Sequence, residues 1–541
     1  MKKIFLILFL ITLPTVLPFF NSQFFYTQDH IFIARLQQMS TALGDGQFPV
    51  RWAPDLRFGE PIFSFYAPLP FYLGSLIKLL GFNFIWVAKI LFILSSFLSA
   101  VTMFILCRRL FSEKAAYLAT ILYLYAPYRA VDLFVRGALS ETLAFIFFPL
   151  IFYTSFQLSE KFSLRNIIFL SLSLAGLFLT HNVTTLMFAP FLTLWWVYLS
   201  LRQKRWKIFL HFISSSILGF GLSAFFLLPA LFERQLIQTK YLTVGYFDFR
   251  AHFVAFKQFF STFWGYGSSL WGPVDDLSFQ VGIVHWVILA LAVGVGFKFL
   301  KDKKTFGLFS FLGISFFISL ALQHNKSGFV WEIIPIMAFI QFPWRFLGIS
   351  IFIVSLTGGA LTQFLTNRFR ILYFVLIVAA IIVNIGYFHP AKFVEDSFFD
   401  KFLNEESMNK GVELTKDYFP IWVKNEQPDY FGSPRATYGE IEVKDFVIKT
   451  GKAKGSINVL SDSEIEVPIT YFPGWEVEAN GKIVELAEPS IQGLISFKLP
   501  KGEYEIEARL KNTPVRTIGN MLSVISLGLM GYLLVSNRRN V

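Results

Sequence analysis

Long apolar segments recur along most of this 541-residue chain, and their lengths suit helices that cross a membrane. The first follows Lys2 and Lys3 and runs from Ile4 to Phe20. The others cover residues 84–106, 115–128, 141–158, 166–181, 183–201, 207–230, 279–299, 305–322, 344–364, 371–388 and 516–535. Lipid offers no hydrogen-bond partners to an exposed backbone, so such segments fold as α-helices. The pattern predicts a polytopic α-helical membrane protein with about twelve transmembrane helices.

The composition supports this class and excludes others. Apolar residues make up 55% of the chain and charged residues only 16%, which a water-exposed surface does not tolerate. The net charge of +12 comes from short basic clusters between apolar segments, so no nucleic-acid partner is predicted. Cys107 is the sole cysteine, and no intrachain disulfide can form.

The basic clusters predict an orientation. If residues 65–80, which contain Pro68 and Pro70, form an interfacial helix and not a span, the clusters all fall in alternate loops. They comprise Arg108, Arg109 and Lys114; Lys161 and Arg165; Arg202, Lys204, Arg205 and Lys207; Lys298, Lys301, Lys303 and Lys304; Arg368 and Arg370; Arg538 and Arg539. Such loops are cytoplasmic in most membrane proteins. We therefore expect a multi-pass protein of the cytoplasmic membrane with both termini in the cytoplasm.

One long stretch breaks the apolar pattern. Between residues 389 and 512 apolar and polar residues alternate, as in Ile465, Val467 and Ile469, and this is typical of half-buried strands. Asn480-Gly481 is a hairpin turn signal. We predict a small extracytoplasmic β-sandwich over residues 389–515.

The predicted domain map has three parts. Residues 1–388 form the transmembrane domain, with outer juxtamembrane helices at about 21–82 and an outer loop at about 232–278. Residues 389–515 are the β-rich domain, and 516–541 are the last transmembrane helix and a cytoplasmic tail. The loop at 232–278 is rich in Gly, Pro and Trp near residues 265–273, so it is either a lid over a substrate cavity or an ordinary connector.

Ionisable residues collect at the predicted outer ends of the helices, and charged groups near a membrane are candidates for function because burying them is costly. The candidates are Asp29 as a catalytic group and His30, Arg51, Arg129, Arg136, Glu141, His181, Asn182, Glu233 and Arg345 as substrate-binding groups. The first outer loop also carries Asp55, Arg57 and Glu60. The alternative roles are solvated loop residues, helix caps and side chains that extend to lipid headgroups.

These residue types suit the transfer of a sugar from a polyprenyl phosphate carrier. The acceptor hydroxyl must lose a proton, and a partly desolvated carboxylate such as Asp29 can act as the general base. Arginine can hold the departing phosphate through paired donors, and the candidates are Arg345 with Arg129 or Arg136. The partners would be the polyprenyl-phosphate sugar, membrane lipids and a glycan, lipid or protein acceptor.

The position of Asp29 before an interfacial helix resembles the GT-C membrane glycosyltransferases. A nearer resemblance is to the YfhO-like and 6-pyruvoyl-tetrahydropterin synthase-related membrane families, through GQFPVRWAPDL, FYAPLPFYLG, APYRAVDLFVRGALSE, LTHN, QFPWRF and YFPGW. The resemblance implies a GT-C-like transmembrane domain, a catalytic role for Asp29 and inversion at the anomeric carbon. Pterin chemistry is not expected, because it needs clustered histidines and the seven here are scattered.

Metal dependence is left open by the first outer loop. His30 follows Asp29, so no second acidic residue completes a paired carboxylate motif. A divalent ion such as Mg²⁺ or Mn²⁺ is a possible cofactor, and Asp275 with Asp276 could add ligands. No cofactor is required by the sequence alone.

Two other function classes compete with the transferase. A transporter or flippase of lipid-linked substrates would place ionisable groups near the midplane, whereas the segments between residues 84 and 230 carry their polar groups mainly at the outer end. A non-catalytic scaffold for cell-envelope assembly would not bring Asp29, Arg129 and Arg345 to one cavity.

Overall fold

The computed structural model describes residues 2–298, 302–365, 370–409, 416–424 and 430–539. Lys301 and Arg368 of the predicted basic clusters lie outside these ranges. For Arg370, Arg538 and Arg539 the structure describes the backbone but not the side chain. The described chain consists of a helical bundle and two β-sheets near its C-terminus.

The α-helices follow one another from the N-terminus to the last residues described. The first half of the chain contains α1 (Lys2–Val16), α2 (Phe32–Gly44), α3 (Leu69–Lys78), α4 (Phe84–Leu110), α5 (Glu113–Leu124), α6 (Pro127–Ala130), α7 (Leu139–Ala144), α8 (Phe147–Glu160), α9 (Leu164–Thr180), α10 (Asn182–Gln203), α11 (Lys207–Leu222) and α12 (Ala224–Phe232). The second half contains α13 (Ile283–Lys298), α14 (Lys303–Ala321), α15 (Gly328–Ile333), α16 (Leu347–Leu361), α17 (Arg370–Ile385), α18 (Glu405–Asn409) and α19 (Pro514–Arg539).

Seven helical stretches among the described residues are long and apolar enough to cross a membrane: Lys2–Phe20, Phe84–Leu110, Leu139–Glu160, Asn182–Gln203, Lys303–Ala321, Pro343–Phe364 and Pro514–Val535. Two bent pairs also qualify, namely Glu113–Leu124 with Pro127–Arg136 and Lys207–Leu222 with Ala224–Phe232. Three shorter apolar helices, Leu164–Thr180, Ile283–Lys298 and Ile371–Ile385, occupy the remaining predicted positions. The predicted fold class, a polytopic α-helical membrane protein with a C-terminal β region, is confirmed, and the count of twelve spans stays a prediction.

The predicted interfacial helix at residues 65–80 is shorter than the sequence indicated. Helix α3 has 10 residues, so it is about 15 Å long and about half the thickness of a bilayer core. Pro68 and Pro70 delay its start, since proline is accepted only in the first turn of a helix. Together with α2, whose Phe32, Ile33 and Leu36 are buried, α3 packs at one end of the bundle.

The β region contains two antiparallel sheets. Its strands are β3 (Arg435–Tyr438), β4 (Ile441–Lys449), β5 (Lys452–Val459), β6 (Ser463–Thr470), β7 (Trp475–Ala479), β8 (Lys482–Val484), β9 (Leu494–Leu499) and β10 (Gly502–Leu510). One sheet has the order β4-β5-β10-β7-β8 and the other β3-β6-β9. Val459, Val467, Val477, Phe497 and Ile506 are buried in the core between them. The predicted hairpin at Asn480-Gly481 is confirmed, because Ala479 pairs with Lys482 and both turn residues have positive φ.

The sandwich begins later than the predicted boundary at residue 389. Residues 389–409 instead lie on the helical bundle, because Phe399, Phe402 and Met408 are buried in the bundle's core. A short strand β2 (Phe393–Val394) pairs with β1 (Phe24–Phe25) just before Asp29. We call residues 416–424 the strap, and its Pro420 forms a β-bridge with Ile237.

The sandwich packs on the loop between α2 and α3. Trp475 and Trp52 are in edge contact with ring centres 5.6 Å apart, and the backbone N–H of Thr470 donates to the carbonyl of Phe58 at 2.8 Å. The YFPGW segment, residues 471–475, therefore lies at the junction of the sandwich with the bundle. This junction is at the same end of the bundle as Asp29, because the strap and the α2–α3 loop both reach the cavity described next.

Candidate functional site

A cavity of about 870 Å³ lies at the end of the bundle beneath the strap. Its walls come from the residues after α1, from α2, from the turn between α9 and α10, from α12, from the segment before α16 and from the strap. Six predicted site residues line it: Asp29, His30, Arg136, His181, Asn182 and Arg345. The fold therefore brings residues from distant parts of the sequence to one place.

The backbone fixes the position of Asp29 against the end of the first bent helix pair, Glu113–Leu124 with Pro127–Arg136. The N–H of Asp29 donates to the carbonyl of Arg136 at 2.9 Å, and the N–H of Gln28 donates to that of Val135 at 3.0 Å. Gly137 ends the π-helical turn Val131–Arg136 with φ of 66°. A Cβ at Gly137 would lie 2.5 Å from Oγ1 of Thr27. Only glycine permits this close approach, which places Asp29 beside Arg136.

Asp29 lines the cavity and is partly exposed. Burial by the surrounding protein raises the pKa of Asp29, while the positive charges of Arg35, Arg136 and Arg345 and the N–H of Ile31 oppose that rise. The two influences together suit a group that must be ionised to accept a proton.

Arg136 is held by two carboxylates behind the cavity wall. Its Nη1 donates to Oε2 of Glu141 at 2.8 Å and also forms a short contact with Asp132. The guanidinium lies 4.7 Å from the ring centre of Trp344. Much of the hydrogen-bonding capacity of Arg136 is thus used within the protein.

Arg345 also lies near the carboxylate of Glu141, but it is more available to bind a ligand than Arg136 is. Its Nε is 3.7 Å from Oε2 of Glu141, too far for a hydrogen bond, and this atom has no hydrogen-bond partner in the described part of the chain. Its Nη1 donates to the carbonyl of Ile340 at 2.9 Å. Arg345 is therefore oriented by the protein while retaining donors for a ligand.

His181 and Asn182 form the turn between α9 and α10 on another wall of the cavity. The Nδ1 atom of His181 is 2.6 Å from Oγ1 of Thr184, and Nδ2 of Asn182 donates to the carbonyl of Phe65 at 2.8 Å. Asn182 thus connects the helical bundle to the loop before α3. Both residues shape the wall, and His181 presents its ring to the cavity.

His30 lies in an aromatic setting. Its ring contacts Tyr26, Phe398 and Phe402 with centre distances of 4.8, 5.3 and 5.7 Å. Only 8% of His30 is exposed. His30 therefore packs the segment that carries Phe398 and Phe402 against the loop that carries Asp29.

One half of the cavity is apolar and reaches the surface of the bundle. Its lining includes Phe178 of α9, Leu186 of α10 and Leu227 and Leu231 of α12. At the edge, Leu231 and Ile336 are 48% and 45% exposed, respectively. The cavity thus combines charged residues with an apolar wall formed in part by the helices α9, α10 and α12.

Four predicted site residues do not line the cavity. Glu141 stands behind Arg136 and Arg345, and Tyr128 donates to its Oε1 at 2.7 Å. Arg129 is buried against the ring of Phe145 at 4.4 Å and donates to Oγ of Ser99. Arg51 donates to the carbonyl of Phe225 and to Asn520, and Glu233 pairs with Arg516 at 2.9 Å. Protein groups pair with or surround each of these four side chains, so none of them forms part of the cavity wall.

Several cavity residues are not among the predicted site residues. They are Arg35 of α2, Tyr66 of the loop before α3, and Asp417 and Tyr418 of the strap. Arg35 had a detectable signal, because it interrupts the apolar run Phe32, Ile33, Ala34 and Leu36 of α2. No sequence signal indicated Asp417, because only the tertiary fold brings the strap to the cavity that Asp29 lines.

The loop at 232–278 contributes part of the wall through Tyr246, Phe247 and Ser269. It has its own hydrogen bonds, including Oδ1 of Asp275 accepting from the N–H of Leu270 at 2.7 Å and Oδ2 accepting from Gln258 at 2.6 Å. Asp275 therefore stabilises the loop. Among the described residues, no three His, Cys, Asp or Glu side chains are grouped closely enough to hold a metal ion.

Comparison with known families gives one extensive match. The family described as "6-pyruvoyl-tetrahydropterin synthase related domain; membrane protein" matches residues 63–389, which is more than half of the chain. An uncharacterized protein of Lactococcus lactis subsp. cremoris strain MG1363 is 26% identical over 363 residues, covering 63% of this chain and 54% of the relative. The chain thus spans about half the length of that relative.

Three solved structures are similar to parts of this chain at low sequence identity. The arabinofuranosyltransferase AftD from mycobacteria is 16% identical with a TM-score of 0.48, over 73% of this chain and 27% of AftD. ArnT from Cupriavidus metallidurans bound to undecaprenyl phosphate is 14% identical with a TM-score of 0.40, over 70% of this chain and 63% of ArnT. The apo oligosaccharyltransferase of Archaeoglobus fulgidus is 12% identical with a TM-score of 0.43, over 80% of this chain and 62% of that enzyme.

Proposed function

The chain belongs to the 6-pyruvoyl-tetrahydropterin synthase related family of membrane proteins, and from that membrane setting and the geometry of the cavity we propose that it is a glycosyltransferase. The donor is a sugar linked to a polyprenyl phosphate. The acceptor is a hydroxyl group on a glycan, lipid or protein. The reaction takes place on the outer face of the cytoplasmic membrane, at the end of the bundle that carries the sandwich.

One observation carries this proposal. A single cavity is lined by an ionisable carboxylate residue, Asp29, by Arg136 and Arg345, and by apolar residues that include Leu227 and Leu231. A lipid phosphate has the same two parts, an anionic head and a long apolar chain. The charged residues suit the phosphate and the apolar residues suit the chain, because burying apolar surface is favourable and arginine pairs with phosphate.

Asp29 acts as the general base. Its carboxylate takes the proton from the acceptor hydroxyl while that oxygen forms a bond to the anomeric carbon of the donor sugar. The bond between the anomeric carbon and the phosphate oxygen breaks, and the electron pair leaves with the polyprenyl phosphate. Attack from the side opposite to the leaving group inverts the anomeric carbon.

Arg345 stabilises the departing phosphate. Negative charge grows on the phosphate as the bond breaks, and a preoriented guanidinium lowers the energy of that state most when it needs no rearrangement. The hydrogen bond from Nη1 of Arg345 to the carbonyl of Ile340 and the nearby charge of Glu141 provide this orientation. Arg136 contributes positive charge from the adjoining wall.

The test is sugar transfer in proteoliposomes that contain the full-length protein. Radiolabelled polyprenyl-phosphate sugars are supplied as a panel with candidate acceptors, and product is measured for the wild type and for Asp29→Asn at matched levels of folded protein. We expect product from the wild type and a loss of at least about 100-fold in Asp29→Asn, the usual scale for a removed general base.

A matched control separates this effect from loss of any surface carboxylate. Asp445→Asn changes an exposed aspartate of β4 and should leave transfer unchanged. Equal product from Asp29→Asn and the wild type would remove Asp29 as the base. Movement of labelled lipid between leaflets with no sugar transfer from any donor would favour a transporter instead.

A further inference from the structure

Arg35 is a buried cation in the wall of the cavity. It is 4% exposed, lines the cavity, and lies with its guanidinium 4.2 Å from the ring centre of Tyr66. Its Nε is fully buried and has no hydrogen-bond partner in the part of the chain that the structure describes. Leaving a buried charged donor unpaired is costly, so an anionic ligand that paired with Arg35 would relieve this cost.

Arg35 differs in this respect from Arg136. Arg136 contacts both Asp132 and Glu141, so the protein itself supplies its counter-charges. No carboxylate among the described residues lies within ion-pair distance of Arg35, although Asp29 and Asp417 are near enough to act on it electrostatically. The planar guanidinium of Arg35 can therefore donate paired hydrogen bonds to an oxyanion of a bound ligand.

The surroundings of Arg35 suit a sugar. The rings of Tyr66 and Tyr418 are in edge contact at 6.0 Å, and both line the cavity beside Arg35. Asp417 of the strap also lines this wall. Aromatic rings offer apolar faces to the C–H groups of a sugar, and a carboxylate accepts hydrogen bonds from sugar hydroxyls.

This wall belongs to parts of the chain outside the candidate membrane spans. Arg345, by contrast, is in the first turn of the candidate span Pro343–Phe364. The strap is tied to the sandwich by the edge contact of Trp422 with Tyr471 at 4.8 Å. The wall of Arg35 is therefore on the sandwich side of the cavity, and Arg345 is on the side of the candidate membrane span.

We propose that Arg35, Tyr66, Asp417 and Tyr418 form the acceptor subsite, and that the acceptor is a sugar that carries an acidic group. This inference rests on the proposed transfer reaction. Arg35 pairs with the acidic group, the tyrosines hold the sugar ring, and Asp417 accepts from its hydroxyls. The acidic group is a carboxylate, as in a uronic acid, or a phosphate ester, and both are oxyanions that a guanidinium binds.

The first test measures binding without catalysis. Glucose, glucuronic acid and glucose 6-phosphate are added separately to the full-length protein in detergent micelles, and saturation-transfer NMR measures the affinity of each. We expect the wild type to prefer an acidic sugar over glucose by roughly tenfold, the value of one charge-assisted hydrogen-bonded contact. The acidic sugar that binds with the higher affinity shows whether the acidic group is a carboxylate or a phosphate ester.

Substitutions of Arg35 then assign the preference to this residue. Arg35→Gln should remove the preference, and Arg35→Lys should retain part of it because lysine keeps the charge without the planar fork. Arg108→Gln, a change at an exposed arginine, is the matched control. Should Arg35→Gln not fold, the partial loss in Arg35→Lys carries the test. Equal binding of neutral and acidic sugars to the wild type, or an unchanged preference in folded Arg35→Gln, would overturn the proposal.

Transfer kinetics distinguish the acceptor from the donor. Arg35→Gln should raise KM for an acidic acceptor and leave KM for the polyprenyl-phosphate donor unchanged. A raised donor KM with an unchanged acceptor KM would place Arg35 at the donor phosphate and contradict the proposal. Absence of transfer from every donor would reject the transferase, while the binding preference would still report on the subsite.

Discussion

Nη1 of Arg136 donates to Oε2 of Glu141 at 2.8 Å, with 10% and 4% of the two side chains exposed. The same carboxylate oxygen is 3.7 Å from Nε of Arg345. One buried carboxylate therefore supports two arginines of the cavity, and Glu141 acts through them without lining the cavity itself.

Glu141→Gln should weaken both the fold and the binding of the donor. The substitution leaves Arg345 without its nearby carboxylate and Arg136 with Asp132 alone, and breaking a buried ion pair costs about 3–5 kcal/mol of the free energy of unfolding. We expect a lower Tm in detergent and a higher donor KM. Glu442→Gln, on the exposed face of β4, is the control. An unchanged Tm would show that Glu141 does not support the arginines.

The pH dependence of transfer should report on Asp29. Burial raises the pKa of Asp29, and Arg35, Arg136 and Arg345 hold it down. A general base must be ionised, so kcat/KM should rise with pH through the pKa of Asp29. Arg35→Gln removes one opposing charge and should move this acidic limb to higher pH, whereas Arg35→Lys should leave it in place. An identical limb in both variants would mean that Asp29 does not control it.

Glu60 should make the protein less stable as the pH rises. Burial, with the nearby charge of Asp417, raises the pKa of Glu60 from 4.5 to about 8. Between these values the folded protein keeps a proton that the unfolded chain releases, so this contribution to stability is complete below pH 4.5 and is lost as the pH rises to about 8. The loss is on the order of a few kcal/mol.

Glu60→Gln tests this dependence, because an amide resembles the protonated acid and does not titrate. Unfolding temperatures measured from pH 5 to pH 9 should fall less steeply in Glu60→Gln than in the wild type. Glu478→Gln, in β7 of the sandwich, supplies the comparison. Parallel curves for Glu60→Gln and the wild type would show that Glu60 is ionised in the folded protein.

Glu233 should anchor the last helix. Its Oε2 accepts from Nε of Arg516 at 2.9 Å, its Oε1 accepts from Thr513, and both charged side chains are buried. We expect Glu233→Gln to cost about 3–5 kcal/mol and to speed hydrogen exchange in the first turn of α19. The double variant Glu233→Gln with Arg516→Met should cost less than the sum of the single changes.

The donor titration decides between this anchoring role and the substrate-binding role that the sequence suggested for Glu233. An anchor leaves the donor KM nearly unchanged in protein that remains folded. A raised donor KM with normal hydrogen exchange in α19 would place Glu233 in the binding cavity.

Sequence reasoning found the cavity's charged residues only in part. Asp29, His30, Arg136, His181, Asn182 and Arg345 were identified because polar residues at the ends of apolar helices stand out. Arg129 and Glu141 are also polar residues near the ends of apolar helices, but their side chains are buried in the protein interior and do not line the cavity. Arg35 was missed because an arginine in an amphipathic helix resembles one that extends to lipid headgroups.

Local sequence patterns are sufficient to predict the membrane class, the helical segments and the β domain, because a bilayer admits only apolar segments with satisfied backbones and because strand alternation is local. Tertiary structure decided which charged groups meet. Arg35, Tyr66 and Asp417 lie on three separate segments, and their convergence depends on how the strap packs across the bundle. Pairing between buried charges depends on distances of a few ångströms, and no local pattern encodes these distances.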